Sequence, residues 1–323
     1  MSFCTGSTVL VTGANGLTGS HLCRELVKAG ARVKGLVKPA SQLENLQEIR
    51  ESIELVLGDI TEPDSLVSAL RGVDYLFHPA AVVSLSDAMA FPEKAIQVNS
   101  VGAFNIAHAA VQAGVKRMLH IGTCHLYGEQ PEYPIRETAI PRSAGIYAAA
   151  KFSGEILVRS LLSDRFQVVF SRSFAKFGPG QSEHFLIPHI IAQLLRGTDV
   201  QLGNPLPTRD YLYITDVVHG YLRILEKGRA GEIYHLSSGV ERSVEEIFQT
   251  VSRVCGVQAR PLWNHTRRSL DTMRQVGDSS KARNELGWSP RFTFEEGIRR
   301  TAEWWRERLS RDSLQAQSVQ KVL

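Results

Sequence analysis

The chain has 323 residues, of which 43% are hydrophobic and 22% charged, and a formal net charge of +4. These proportions fit one large globular domain, or a large one with a smaller companion, and exclude a disordered or collagen-like chain. So mild a charge, without a basic run interleaved with aromatics, makes nucleic acid a poor partner, and no apolar run approaches a membrane span. The N-terminal residues 1–7 lack the basic-then-apolar pattern of a signal peptide. Cys4, Cys23, Cys124 and Cys255 are scattered with no CxxC pair, so reduced thiols and a cytoplasmic setting are expected.

Taken in chain order, short apolar runs at residues 8–12, 33–37, 53–57, 75–77, 117–121 and 168–171 alternate with helical patterns at 16–29, 63–70, 93–113 and 144–162. Continuous apolar strands separated by helices predict an α/β fold, a Rossmann-like doubly wound parallel sheet buried on both faces. Beyond Ser171 glycine and proline cluster and aromatic and basic residues become frequent, which predicts a smaller C-terminal substrate-binding lobe. The expected division is a dinucleotide-binding domain over 1–172, rejoined by about 211–238. The lobe takes 173–210 and 239–308, and a polar, flexible tail takes 309–323.

The first strand runs into Gly13-Ala14-Asn15-Gly16-Leu17-Thr18-Gly19. Such a turn needs glycine where φ is positive and where backbone approaches a pyrophosphate, and the next helix turns its N-terminal N–H groups to the phosphates. The run ending in Gly58-Asp59-Ile60 places a carboxylate where it can accept from an adenine amino group. The second strand ends in Leu36-Val37-Lys38-Pro39-Ala40-Ser41 without the acid that usually holds the ribose hydroxyls of NAD. Lys38 and Ser41 can instead hold a 2′-phosphate, so NADP(H) is the preferred cofactor and NAD(H) the alternative.

Tyr147 and Lys151 lie one helical turn apart on one face. A phenol near pKa ~10 is a poor proton donor or acceptor at neutral pH, and a neighbouring ammonium together with an oxidised nicotinamide would lower it. The strand 117–121 leads into Gly122-Thr123-Cys124-His125-Leu126-Tyr127-Gly128, where sites of open α/β sheets form, and Thr123 offers a hydroxyl beside Tyr147.

The glycine turn, Gly58-Asp59, His78-Pro79-Ala80-Ala81, Asn99-Ser100-Val101-Gly102, Thr123 to Gly128 and the Tyr147/Lys151 pair together resemble the extended short-chain dehydrogenases. That family includes nucleotide-sugar epimerases, dehydratases and ketoreductases. Arg172, Phe177-Gly178-Pro179-Gly180, Arg209-Asp210-Tyr211 through Asp216, Asp278 to Lys281 and Leu286-Gly287-Trp288 extend the likeness over nearly the whole chain. The resemblance implies Tyr147 as the acid–base residue, Lys151 as its partner and Thr123 as the completing hydroxyl. It implies a cofactor lined by Gly13, Asn15, Gly16, Leu17, Gly19, Lys38, Asp59, Ile60, Ala80, Ala81, Asn99 and Phe174, besides Tyr147 and Lys151. Cys124, Arg209 and Arg274 would meet the nucleotide-sugar substrate, the two arginines embracing its diphosphate. No metal is implied.

The chain departs from the family at three places. Dehydratases resembling it carry Asp-Glu directly after the active-site threonine, whereas Cys124 and His125 stand here, which disfavours a standard 4,6-dehydratase. Many epimerases have small residues at both positions. An asparagine usual in the family is replaced by Ala175. His125 is therefore a candidate acid or base, or equally a packing residue. The expected reaction is hydride transfer at sugar C4, first as an NADPH-dependent 4-keto-sugar reductase. An epimerase with retained cofactor, a reductase of non-sugar ketones and a cofactor-sensing regulator are the alternatives. Apolar residues on several faces of the helices 93–113 and 144–162, among them Phe104, Ile156 and Leu161, predict a homodimer.

Overall fold

A computed structural model describes residues 4–143, 145–265 and 272–320. Its strands are β1 Thr8–Thr12, β2 Arg32–Val37, β3 Glu54–Leu57, β4 Tyr75–His78, β5 Arg117–Thr123, β6 Gln167–Ser173, β7 Ala175–Phe177, β8 Val200–Leu202, β9 Thr208–Tyr213, β10 Ile233–Leu236, β11 Glu241–Ser243, β12 Pro261–Trp263 and β13 Arg274–Gln275. The helices are α1 Leu17–Lys28, α2 Leu66–Ala69, α3 Leu85–Ala90, α4 Pro92–Ile96, α5 Ala103–Gln112, α6 Ile146–Arg159, α7 Leu186–Arg196, α8 Ile214–Lys227, α9 Val244–Cys255, α10 Ser280–Leu286 and α11 Phe294–Gln320.

Seven strands form one sheet in the order β10-β6-β5-β4-β1-β2-β3, each pair parallel. The order reverses between β1 and β4, which opens a crevice at the carboxyl ends of those strands. Every residue of β1 is buried, as a strand covered by helices on both faces requires. One core cluster packs α1 and α8 with the lobe helices α7, α9 and α11, and a second packs α5 and α6 on the opposite face.

The expected helix over 93–113 is three pieces, with Gln97–Gly102 wound as a π-helix between α4 and α5. Wide turns of this kind are frequent at functional sites. This one holds Asn99, whose side-chain amide accepts from Val82 N–H at 2.8 Å and donates to Val82 C=O at 3.0 Å. The expected start at Ala144 lies outside the described residues.

The lobe's sheet is built on β9. Antiparallel β11 and parallel β13 flank its first residues, and parallel β7 pairs with residues 211–213. Residues 211–213 therefore pair within the small sheet, and the chain rejoins the large sheet at β10 after crossing it as α8. Asp216 anchors that return. Its carboxylate accepts from Phe292 N–H at 3.0 Å, and its carbonyl from Trp288 Nε1–H at 3.0 Å. The segment expected to fray after residue 309 continues as α11 through Gln320; residues 321–323 of that expected tail lie outside the described residues.

Candidate functional site

The glycine turn forms as its spacing demands. Gly13 has φ +57°, and a Cβ there would lie 3.1 Å from Ala80 Cα on the neighbouring β4 turn. A Cβ on Gly19 would lie 2.2 Å from Gly13 O, so α1 can pack this close to the turn only with glycine. Gly16 caps α1 and carries no side chain to accept from the first-turn N–H groups, and Leu17 opens the helix. Thr12 Oγ1 accepts from Ala80 N–H at 3.2 Å, tying the β1 and β4 ends together beside Ala81. Asn15 donates to Gln42 C=O, and its own carbonyl accepts from Asn45, which also donates to Gly180 C=O. The turn is thus roofed by the 44–52 helical segment and by the lobe's Gly178-Pro179-Gly180 run. These features fit a dinucleotide's diphosphate.

At the β2 and β3 ends Lys38 Nζ lies 2.7 Å from Asp59 Oδ2. Asp59 Oδ1 accepts from Thr61 N–H and Oγ1–H at 2.9 Å each. Burial works to raise the Asp59 carboxyl, but Lys38 and the Thr61 hydrogen bonds outweigh it and hold it below the usual carboxylate range. Both groups expected to meet the adenosine half are therefore already engaged with each other. The Ile60 side chain is buried in the α5 core, and its carbonyl accepts from Asn105 at 3.0 Å.

The catalytic candidates gather at the β5 and β6 ends, where Thr123 and Ser173 stand in register. Thr123 Oγ1 accepts from His125 N–H at 3.2 Å and caps the short 124–127 turn, which swings His125 back toward the cleft. Thr123 acts on the Tyr147 phenol, and burial, only partly offset by that hydroxyl, pushes the phenol up to about 12. The depression expected of Tyr147 needs Lys151 and an oxidised nicotinamide together; in the protein alone Lys151 is not among the groups acting on the phenol. Lys151 Nζ instead donates to Ile121 C=O at 2.7 Å, and burial, then the charge of Lys176, brings it down to about 8. Below that pH it is an ammonium in a buried site, ready to donate to whatever binds beside Tyr147.

His125 packs edge-on to Tyr147, with ring centroids 5.7 Å apart, and its Nδ1 lies 3.4 Å from Gln275 Nε2. Burial first and Arg209 second hold it at about 4, so it is a neutral imidazole at pH 7. Cys124 is buried with its thiol toward Gln275 Oε1, and burial pushes it up to about 12. It is a wall of the cleft rather than a nucleophile. Phe174 is buried edge-on to His235 and fills the space at Gly277, where a Cβ would lie 2.3 Å from its ring.

Arg209 is half-buried on β9, and its charge reaches Cys124 and His125. Arg274 is beside it, since β13 pairs with β9 through Arg274↔Thr208 and Gln275↔Arg209. The Arg274 guanidinium, half-exposed, pairs with Glu241 at 2.6 Å and stacks over Tyr133. The structure therefore brings Arg209 into the catalytic cluster and leaves Arg274 on the rim, held by a carboxylate.

Three sets of contacts in this site escape a reading of local motifs. Arg172 forms a buried bidentate pair with Glu155 at 2.7 and 3.1 Å and donates to Tyr127 Oη at 2.8 Å, bracing β6 against α6. Gln275 contacts both Cys124 and His125 from the lobe. Tyr221 Oη meets Ser173 Oγ at 2.7 Å and accepts from Lys176 Nζ at 3.2 Å. Arg172 stands in a segment already noted for its resemblance, and Lys176, the partner of Tyr221, carries a local signal of its own, a lysine inside the apolar run Phe174-Ala175-Lys176-Phe177.

Among known proteins, a family model described as GDP-mannose 4,6 dehydratase matches residues 10–301. The UDP-glucose 4-epimerase of Mycolicibacterium smegmatis is 31% identical over 311 residues, which cover 93% of this chain and 98% of that protein. The crystal structure of the Thermotoga maritima UDP-glucose 4-epimerase with UDP-glucose matches at TM-score 0.88 and 27% identity, covering 94% of this chain and 99% of that one. A dTDP-glucose 4,6-dehydratase of Streptomyces venezuelae with NAD bound matches at TM-score 0.87 and 29% identity, over 93% and 97%. The chain belongs to the GDP-mannose 4,6 dehydratase family, within the extended short-chain dehydrogenase/reductase enzymes of nucleotide-sugar chemistry.

Proposed function

We propose that the protein is an NAD(P)-dependent oxidoreductase acting at C4 of a nucleotide-diphosphate sugar, and that it reduces a 4-keto sugar. The carrying observation is the environment after Thr123. Cys124 is a buried thiol pushed up to about 12 and His125 a neutral imidazole at about 4, so neither supplies the carboxyl pair that elimination of water uses. What is left is Tyr147, Thr123 and Lys151, the set needed to move a hydride and a proton. When bound, the nicotinamide supplies the hydride. Thr123 polarises the C4 oxygen, and Tyr147 gives that oxygen its proton as C4 is reduced. Lys151 holds the neighbouring ribose hydroxyls, and its ammonium stabilises the phenolate left behind. Arg209 reaches the substrate beside His125, and Arg274 would swing from Glu241 to the diphosphate.

Incubation with a 4-keto nucleotide sugar should consume one NADPH per sugar reduced. Interconversion of C4 epimers with no net cofactor change would support the second reading, an epimerase, which the likeness to the Mycolicibacterium and Thermotoga enzymes favours. NADP(H) is the proposed cofactor, because no carboxylate stands at the end of β2 and Lys38 is the cation at that edge. The four cysteines are free thiols, which fits the cytoplasmic setting proposed for the protein. No helix of the described residues is long and apolar enough to cross a membrane.

A homodimer through α5 and α6 is also proposed. Ile156 and Val111 are exposed there, 52% and 39%, and Ile96 on α4 adjoins them. Light scattering at micromolar concentration should give twice the chain mass; a monomer would overturn the pairing.

A further inference from the structure

Lys176 sits on β7, where the chain passes beyond the carboxyl end of β6 and turns into the lobe. Its side chain runs back over the Tyr221 ring, with Nζ 5.6 Å from the ring centroid and 3.2 Å from Oη. That hydroxyl also meets Ser173, the register partner of Thr123, so the ammonium hangs beside the catalytic strand ends. Its charge acts on both Lys151 and Cys124, while Tyr221 acts on Tyr147.

No carboxylate among the described residues pairs with Lys176 or Lys151. Glu155, the acid of α6, spends both oxygens on Arg172. Asp210, the acid of β9, is taken up by Ser238, Gly239 and Gly277. Two ammonium groups therefore border one cleft, and the nearest acid acting on Lys151, Glu155, is already paired with Arg172. Such a cleft discriminates between occupants that differ by a positive charge. An oxidised nicotinamide ring is cationic and the reduced ring is neutral. The phosphates are the same in both forms, so their attraction to the protein cancels when the two are compared.

We infer that Lys176, together with Lys151, makes the cleft bind the reduced nicotinamide cofactor in preference to the oxidised one. Lys176 thereby acts as a specificity-determining residue that biases the enzyme toward reduction. The inference rests on the C4 oxidoreductase reading above and supplies its direction. A retained-cofactor epimerase must hold the oxidised form at rest, and an extra cation works against that state.

The experiment measures dissociation constants of NADPH and NADP+ by calorimetric or fluorescence titration. The proteins compared are wild type, Lys176→Met, Lys176→Gln and Lys176→Arg. Wild type binds NADPH more tightly. Both neutral variants should lower the NADP+/NADPH ratio by about tenfold or more, and each tenfold corresponds to about 30 mV in the potential of the bound couple. Lys176→Arg should keep the wild-type ratio. Lys176→Gln retains a donor for Tyr221 Oη, so a neutral variant remains if Lys176→Met does not fold. An unchanged ratio in the neutral variant overturns the role of Lys176, even where NADPH is consumed stoichiometrically. Failure of NADPH consumption would overturn the reductase reading instead, and the two outcomes are read separately.

Discussion

At the β2–β3 edge Lys38 meets Asp59 at 2.7 Å, partly in solvent, while at the β5–β6–β7 edge Lys151 and Lys176 stand without a paired carboxylate among the described residues. A compensated pair near solvent costs the fold little and contributes little. A buried ammonium that is not compensated is expensive, and folds keep such groups where chemistry uses them. One end of the crevice thus presents a lysine whose charge Asp59 already balances. The other presents a buried Lys151 and a half-buried Lys176 held by neutral oxygen acceptors.

The largest break in that comparison should come from the catalytic end. Tyr147→Phe removes the proton donor and should lower kcat about 10²- to 10⁴-fold with NADPH affinity nearly unchanged; retention of activity would remove Tyr147 from the chemistry. Acid should come next, because the interior holds several buried histidines neutral. Burial sets His78 and His235 at about 3 and His21 and His125 at about 4, all below the ordinary 6.5. Below pH 6.5 the unfolded chain takes up protons that the folded chain refuses. Stability is therefore fully present above that pH and falls as pH drops toward the folded values, by about 1.4 kcal/mol per pH unit for each histidine. Thermal melts should show Tm dropping steeply from pH 6.5 to 4.5, and a flat profile would contradict the burial of these rings.

At the compensated end the effect is smaller. Wild type should bind NADPH more tightly than NADH, and Lys38→Ala should weaken NADPH about tenfold with NADH little changed. Equal wild-type affinities would leave Lys38 a partner of Asp59 alone. His125 should have the least effect. It is a neutral ring packed on Tyr147, and the role proposed for it is positioning rather than proton transfer. Reaction in deuterated solvent should then add no deuterium at the carbons flanking C4, and His125→Ala should keep hydride transfer. Exchange lost in His125→Ala would make it a base.

The large sheet was legible because strands buried on both faces are written as unbroken apolar runs, and β1 falls where residues 8–12 place it. The glycine turn was legible for a similar reason, since Gly19 admits no side chain against Gly13 O. Residues 211–213 were not, because a strand's sheet is chosen by its partners, here β7, β11 and β13, which lie far along the chain. Nor was α11 beyond residue 309, a polar stretch in which Arg, Leu, Gln and Ala sustain a helix by propensity. At the site, chemistry tied to a motif could be read and chemistry tied to distant partners could not. Glu241 claims Arg274 from 33 residues away, and Tyr221 draws Lys176 into the cleft from 45.

The direct test of C4 hydride transfer uses NADPH deuterated at the transferable position with a 4-keto nucleotide sugar. One deuterium at C4 of the product sugar, with one NADP+ formed for each, is the predicted result. Deuterium retained on the cofactor, or delivered to any other carbon, would contradict the account.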